Sequence, residues 1–234
     1  FPPGMLLGAT WNPELVEQVG ASVAREASAY GVDVLLGTPN TNIQRDPRNG
    51  RLFESFSEDP YLSSRMAPAM VRGVQAQGVA ADVKHFAANN QETLRQGIDE
   101  QISERALREI YLPGFEAAVK EGGVATVMSA YNSINGVPCA QNRWLLTDVL
   151  KHEWGFDGQV VSDWGAVYDQ AEALRAGNDM DMPGPRGKQR LYEAVERGEI
   201  SMERIDDAAA RMLRTILKTP KYTGKRFAHI DDAF

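Results

Sequence analysis

Short apolar runs alternate along the chain with longer amphipathic stretches. The runs occupy residues 4–10, 32–37, 80–85, 124–130, 159–163 and, more weakly, 176–182. A continuous apolar run without alternation suits a strand buried on both faces, as in a parallel sheet. The stretches between them carry helix start and stop signals. Asn12 followed by Pro13 predicts an N-cap and first turn, with the helix running to about Tyr30 and stopping at Gly31. Pro60 opens a second helix that reaches Gln77 and ends at Gly78. Ser103 caps a third reaching about Glu121, kinked at Pro113 and stopped by Gly122-Gly123. Further helices are expected near residues 143–153, 166–176, 190–197 and 201–218.

Repeated strand-then-helix units imply parallel strands joined by right-handed crossovers. An open doubly wound sheet and a closed barrel both satisfy that order. No glycine-rich phosphate fingerprint follows the first run, which weighs against the dinucleotide-binding version. About six strands can be counted, fewer than the eight of a full barrel. Residues 38–60 stand apart, because Asn, Asp, Pro, Gly and Arg crowd together there without periodicity. A loop of that length inside a compact domain is usually functional. The tail 219–234 has lost helical periodicity and reads as a linker, leaving 1–218 as the folded unit.

Composition narrows the function. The 234 residues are 43% apolar and 24% charged, ordinary for a globular domain. With 32 acidic against 25 basic residues, the net charge of -7 argues against nucleic acid, whose phosphates demand clustered Lys and Arg. No apolar stretch approaches the roughly 20 residues of a membrane span. Cys139 is the only cysteine, which excludes an intrachain disulfide and a cysteine-based metal site. His85, His152 and His229 are widely separated. The opening Phe1-Pro2-Pro3-Gly4 reads as the middle of a protein, so compartment stays open, with cytoplasm or periplasm favoured.

In parallel α/β architectures ligands lie at the carboxyl ends of the strands. Those ends hold the 40–51 loop, Lys84-His85, Ala130-Tyr131-Asn132 and Ser162-Asp163-Trp164. One acid, a few cations, amides and aromatic rings suit a polyhydroxylated ligand, whose hydroxyls take hydrogen bonds and whose apolar face takes a flat ring. Asp163 is either a nucleophilic carboxylate or an ordinary helix N-cap. Lys84 and His85 are adjacent and would point to opposite faces of a regular strand, so both serve one ligand only where the strand ends or bulges. A strand-end lysine also suits a Schiff base, which keeps an aldolase in play. His85 alone reads as a satisfied core histidine. Glu58 or Asp59 complements the start of the following helix, and Arg45, Arg48 and Arg51 hold the loop or, at Arg51, meet substrate. Tyr111, Trp144 and Trp154 read as packing residues.

At these residues the chain resembles glycoside hydrolase family 3, the β-glucosidase and β-xylosidase group. The matching stretches are Val34-Leu35-Leu36-Gly37, Asn42-Ile43-Gln44-Arg45-Asp46-Pro47-Arg48-Asn49-Gly50-Arg51, Ser57-Glu58-Asp59-Pro60-Tyr61-Leu62 and Val83-Lys84-His85-Phe86-Ala87-Ala88-Asn89-Asn90-Gln91-Glu92. Tyr111-Leu112-Pro113, Met128-Ser129-Ala130-Tyr131-Asn132, Trp154-Gly155-Phe156-Asp157-Gly158 and Val161-Ser162-Asp163-Trp164-Gly165 follow in the family's order. The resemblance implies a (β/α) barrel of TIM type, incomplete at its N-terminus, that hydrolyses terminal β-linked glycosides with retention. It implies Asp163 as nucleophile and Arg51, Lys84 and His85 as the grip on sugar hydroxyls. It also implies Tyr131 beside the nucleophile, with Met128 and Trp164 as walls. For His85 it replaces the core reading with a functional one.

Retention needs two carboxyl groups about 5–5.5 Å apart, one attacking and one protonating the leaving oxygen. Glu54, Glu58 and Glu92 are the candidates within the chain for the second. None has a context specific to an acid, and the family's glucosidases take theirs from a second α/β domain. The expected partners are therefore a small carbohydrate and such a domain, in cis or in trans. The family's hexosaminidase branch places a His–Asp pair after the Lys-His motif, whereas residues 86–92 hold no histidine, which points to glucosidase or xylosidase specificity. No metal or organic cofactor is expected. A non-catalytic sugar-binding barrel is the remaining alternative.

Overall fold

The protein is described by a computed structural model covering residues 1–184 and 187–224. The first apolar run is a short helix, α1 (Gly4–Gly8), where the sequence pattern suggests a strand. Gly4 and Gly8 are one turn apart and so share a helix face, which lies directly on the backbone of residues 54–56. A Cβ on Gly4 would stand 2.1 Å from the Glu54 carbonyl oxygen, and one on Gly8 2.0 Å from that of Phe56. The run is apolar because it packs, and packing at that distance requires the two glycines.

Asn12 caps α2 (Pro13–Ala29), its side chain accepting from the Leu15 N–H at 3.0 Å. The chain then enters β1 (Val34–Leu35). Asp59 caps α3 (Pro60–Ala76), which leads into β2 (Ala80–Phe86). A small sheet follows that the sequence pattern did not announce, made of β3 (Asp99–Glu100), β5 (Ser133–Ile134) and β6 (Val137–Pro138). The third expected helix is three pieces: α4 (Glu104–Ala106) capped by Ser103, a π-type turn at Leu107–Tyr111, and α5 (Pro113–Lys120). Pro113 has no N–H to give, and the break falls there. Next come β4 (Thr126–Ser129), a π-helix at Trp144–Glu153, β7 (Gln159–Ser162) and α6 (Gln170–Ala176). The chain continues through α7 (Lys188–Glu196), α8 (Met202–Lys218) and α9 (Pro220–Thr223). Of the expected linker, residues 225–234 lie outside the described residues.

The main sheet is parallel, ordered β1-β2-β4-β7, and Met180 extends it by a parallel bridge to Val161. The run 176–182 is thus a single bridge beside β7 rather than a strand. Register puts Val83, Val127 and Val160 on one face, each fully buried beneath the helices. The other face carries Ala80, Asp82 and Lys84 of β2, Thr126 and Met128 of β4, and Gln159 and Val161 of β7. Val34 and Leu36 at one edge and Met180 and Met182 at the other line a single cavity of about 180 Å³ with Thr126, Gln159, Val161 and Trp164. Two edges of one sheet meet around a cavity only if the sheet curls, as the wall of a (β/α) barrel does. On the outer side Phe86 sits 5.1 Å from Phe115 and 5.7 Å from Trp154, ring centre to ring centre. Trp154 and Tyr111 are buried, as packing residues would be. No helix among the described residues is long and apolar enough to cross a membrane.

Candidate active site

The polar loop between β1 and α3 is folded down onto the carboxyl end of β2. Thr41 N–H donates to the Lys84 carbonyl at 2.9 Å, and Lys84 N–H to that of Pro39 at 3.1 Å. Gln44 donates to the carbonyls of Leu52 and Ser55, and Asn49 to that of Asn89. These side-chain amides act as the loop's internal backbone partners, which is why a segment without regular structure holds its shape.

Asp163 follows the last residue of β7. Its N–H donates to the Ser129 carbonyl of β4 at 3.1 Å, and its Oδ1 accepts the Trp164 N–H at 2.7 Å. Its Oδ2 lies 3.5 Å from Nε2 of His85. The N-cap reading of Asp163 does not describe this arrangement, because α6 is capped by Asp169 through the Glu172 N–H.

The ladder between β2 and β4 shifts register between Val83 and Phe86, so the strand is irregular where Lys84 and His85 sit. Both side chains reach the Asp163 side. His85 is 1% exposed and clamped by Asn42, whose Oδ1 accepts from the His85 backbone N–H at 2.8 Å while its Nδ2 donates to the His85 carbonyl at 2.9 Å. Those two bonds fix the amide's orientation, so the His85 Nδ1 at 3.1 Å from the same Oδ1 must carry a proton. Burial, with Arg51, Lys84 and Arg95 nearby, holds the imidazole well below its ordinary pKa. The ring is neutral, and the lone pair of Nε2 faces the Asp163 carboxylate. Two acceptors facing each other leave room for a donor, and a ligand hydroxyl fits.

Arg51 and Glu54 form a two-point pair, with both N–O distances at 2.8 Å. Glu54 also accepts from Asn40 at 3.3 Å and lies 3.9 Å from Nζ of Lys84. Burial works against the Glu54 charge, but the Arg51 pairing and Lys84 outweigh it and hold its carboxyl below the usual value. Burial and Arg51 pull Lys84 down, opposed by Glu54, Asp82 and Asp163. Tyr131 donates its hydroxyl to the Trp164 carbonyl at 2.8 Å, and Arg95 lies over its ring at 4.5 Å. Burial and the Asp163 charge push the phenol upward. Trp164 lines the cavity inside the sheet. Met128 is buried on the inner face of β4, in register with Val161.

Of the candidate second carboxyls, Glu54 is bound to Arg51, Glu92 is bound to Arg95 at 2.8 Å and accepts from Asn89 at 3.2 Å, and Glu58 is exposed just before the Asp59 cap of α3. Among the described residues no three His, Cys, Asp or Glu side chains gather as a metal site. Sequence reasoning gave no role to Asn42, Arg95 or Asp82. Asn42 lay in plain view within a motif. Asp82 carried the clearer signal, an acid inside an otherwise apolar strand run, two residues before a functional lysine.

A curled parallel α/β sheet with a carboxylate, two cations and a neutral histidine at its strand ends defines a (β/α)-barrel domain whose site faces polar ligands. The chain belongs to glycosyl hydrolase family 3, whose N-terminal domain matches residues 1–215. It is 51% identical over 218 residues to thermostable beta-glucosidase B of Acetivibrio thermocellus, covering 92% of this chain. It is 50% identical over 219 residues to an exo-alpha-(1->6)-L-arabinopyranosidase of Bifidobacterium longum, covering 94% of this chain. The chain spans 29% of the length of each of these relatives. Among solved structures, beta-glucosidase 3B from Thermotoga neapolitana in complex with alpha-D-glucose superposes with a TM-score of 0.93 at 49% identity, over 97% of this chain and 33% of that one.

Proposed function

We propose that the chain is the nucleophile-bearing barrel of a retaining β-glycosidase acting on terminal β-linked glycosides. The observation that carries this is the placement of Asp163 at the end of β7, one oxygen held by the Trp164 N–H and the other open toward His85, with Arg51, Lys84 and Tyr131 around it. In the first step Asp163 attacks the anomeric carbon as the aglycone departs, forming a glycosyl ester. Water then cleaves that ester, so two inversions give net retention. Arg51, Lys84 and the His85 Nε2 take hydroxyls of the terminal sugar, while Trp164 and Met128 wall the subsite. The beta-glucosidase names of relatives favour glucosides over other substrates.

The leaving oxygen needs an acid. Glu54 and Glu92 are committed to Arg51 and Arg95, and Glu58 is exposed to solvent rather than enclosed as a raised-pKa acid must be, so the acid/base is taken to come from a second domain, outside this chain. That favours a secondary reading for the isolated chain, which would bind sugar with little turnover. Residues 1–218 would form the barrel, with 219–234 leading toward the second domain.

A 2-deoxy-2-fluoroglucoside with a dinitrophenyl leaving group tests the assignment, since it needs no acid and traps the ester. Peptide mass spectrometry should find the adduct on Asp163, and an adduct on another carboxylate would reject it. The lowered pKa of Lys84 keeps the Schiff-base aldolase testable in the same samples. Borohydride with a carbonyl substrate should leave Lys84 unmodified if the glycosidase reading holds.

A further inference from the structure

Asp82 lies in the middle of β2 and is fully buried. Strand alternation puts it on the same inner face as Lys84, one step deeper into the barrel. Its register partner on β4 is Thr126, whose hydroxyl donates to Asp82 Oδ1 at 2.7 Å. Its Oδ2 accepts the Gly37 N–H at 3.3 Å. Gly37 is also the surface on which Lys84 rests. A Cβ there would stand 2.1 Å from Cε and 2.2 Å from Nζ of Lys84, and the residue has φ +77°. One glycine at the end of β1 therefore holds the carboxylate with its amide and seats the lysine stem on its bare Cα. The charged groups facing Asp82 are Lys84 on its own strand and Asp163 beyond β7. Lys84 is in turn flanked by Arg51 and Glu54 of the loop.

A buried acid is a liability unless it serves another group. Lys84 is such a group, because burial and Arg51 both oppose the charge it needs as a three-proton donor to hydroxyls. We propose that Asp82 is a positioning residue of the sugar site: anchored by Thr126 and Gly37, its carboxylate keeps Lys84 seated over Gly37 and charged toward the ligand. The inference rests on the sugar-binding reading of Lys84. Asp82 touches no substrate and works through the lysine. The raised pKa of Asp82, pushed by burial to about 7, gives the device a pH signature, since its support strengthens as the carboxyl ionises.

The test uses the whole polypeptide that carries this domain, with D82N and T126V variants. Two readouts are taken: the pH profile of KM for 4-nitrophenyl β-D-glucopyranoside, and the acetylation rate of Lys84 by acetic anhydride, read by peptide mass spectrometry against exposed Lys120. Loss of a neighbouring opposite charge lowers a lysine pKa by about one or more, which multiplies the reactive amine about tenfold at pH 8. D82N should therefore raise Lys84 labelling about tenfold and raise KM several-fold above pH 7, with kcat changed less. T126V keeps the carboxylate but removes a hydrogen bond that lowers its pKa, so the KM step should move to higher pH. Unchanged Lys84 labelling in D82N overturns the inference, including where activity falls evenly at every pH, because that is what structural damage alone would give. A wild type that neither turns over nor binds glucose overturns the sugar-site reading, and the inference with it. An active wild type with an indifferent D82N overturns the inference alone.

Discussion

Replacing Asp82 by Asn should stabilise the fold near neutral pH, even as it weakens the site. Burial raises the Asp82 carboxyl from 3.8 to about 7, against the opposing pull of Thr126, Lys84 and the Gly37 amide. A carboxyl with a higher pKa in the folded state holds more protons folded than unfolded across that interval. Its contribution to stability is complete below pH 3.8 and is lost as pH rises through about 7. Each pH step of one between those two values removes roughly 1.4 kcal/mol, so the full loss is on the order of 4 kcal/mol, a large part of the typical 5–15 kcal/mol stability of a domain. Asparagine cannot ionise and lacks this slope.

Urea unfolding of the parent and D82N at pH 5, 6, 7 and 8 gives the difference directly, and subtraction cancels every shared group that does not sense Asp82. The gap should widen in favour of Asn by roughly 1.4 kcal/mol per pH unit up to about pH 7 and then level off. Any fixed offset from remade hydrogen bonds appears at all pH values and leaves the slope intact. A difference that stays flat from pH 5 to 8 would refute the reasoning, because it would mean that Asp82 is ionised in the folded protein throughout.

Three other outcomes follow from the same structure. Asp179 has a side chain with no exposure and accepts from Lys151 at 2.8 Å, Arg204 at 2.6 Å and the Val160 N–H at 2.8 Å; Asp179→Ala leaves these cations, among the described acids, only the partly exposed Asp207, at 4.0 Å and 3.0 Å, and should cost about 3 kcal/mol in urea unfolding. An unaltered midpoint would show that Asp207 alone satisfies both cations. Burial pulls Lys151 from 10.5 down to about 8, so the unfolded chain binds more protons between those values and stability should rise with pH across that window; Lys151→Met should flatten the rise. Asn42→Asp would place a carboxylate beside the His85 Nδ1, now 3.1 Å from Oδ1, and should move the imidazole pKa upward in an NMR titration; no movement counts against the assigned proton position.

Much of the fold was legible because the main sheet's strands are buried on both faces. Ala80–Phe86, Thr126–Ser129 and Gln159–Ser162 have almost no exposed residues, and runs without the alternation of a half-exposed strand are what that burial produces. The caps expected at Asn12 and Ser103 are the side-chain caps observed, and the helices expected from Pro60 and from about residue 201 start there, capped by Asp59 and Ser201. The run at 4–10 misled because periodicity over so few residues cannot separate a buried strand from a helix, and the deciding contacts of Gly4 and Gly8 come from residues 54–56. Residues 99–100, 133–134 and 137–138 form strands of two residues, too short to carry any period. The candidate site was legible as a set of strand ends but not as a network. The Asn42 clamp on His85 joins residues 43 positions apart, and no local pattern encodes that meeting.

The division of labour on β2 accounts for why its interior is polar. Val83 faces the helices with Val127 and Val160, while Asp82 and Lys84 face the barrel lumen. A strand serving only the core would carry apolar residues on both faces, and an aliphatic residue at 82 would remove the need to bury a carboxylate beneath Thr126 and Gly37. Local rules of burial are broken in real proteins chiefly where function requires it. The acid at 82 and the cation at 84 break them on one face of one strand, at the end where Asp163 and His85 meet. The stability gained by D82N and the weakened grip on substrate should therefore be two readings of a single cause, and separating them experimentally would show that the polar lumen is not a device for the site at all.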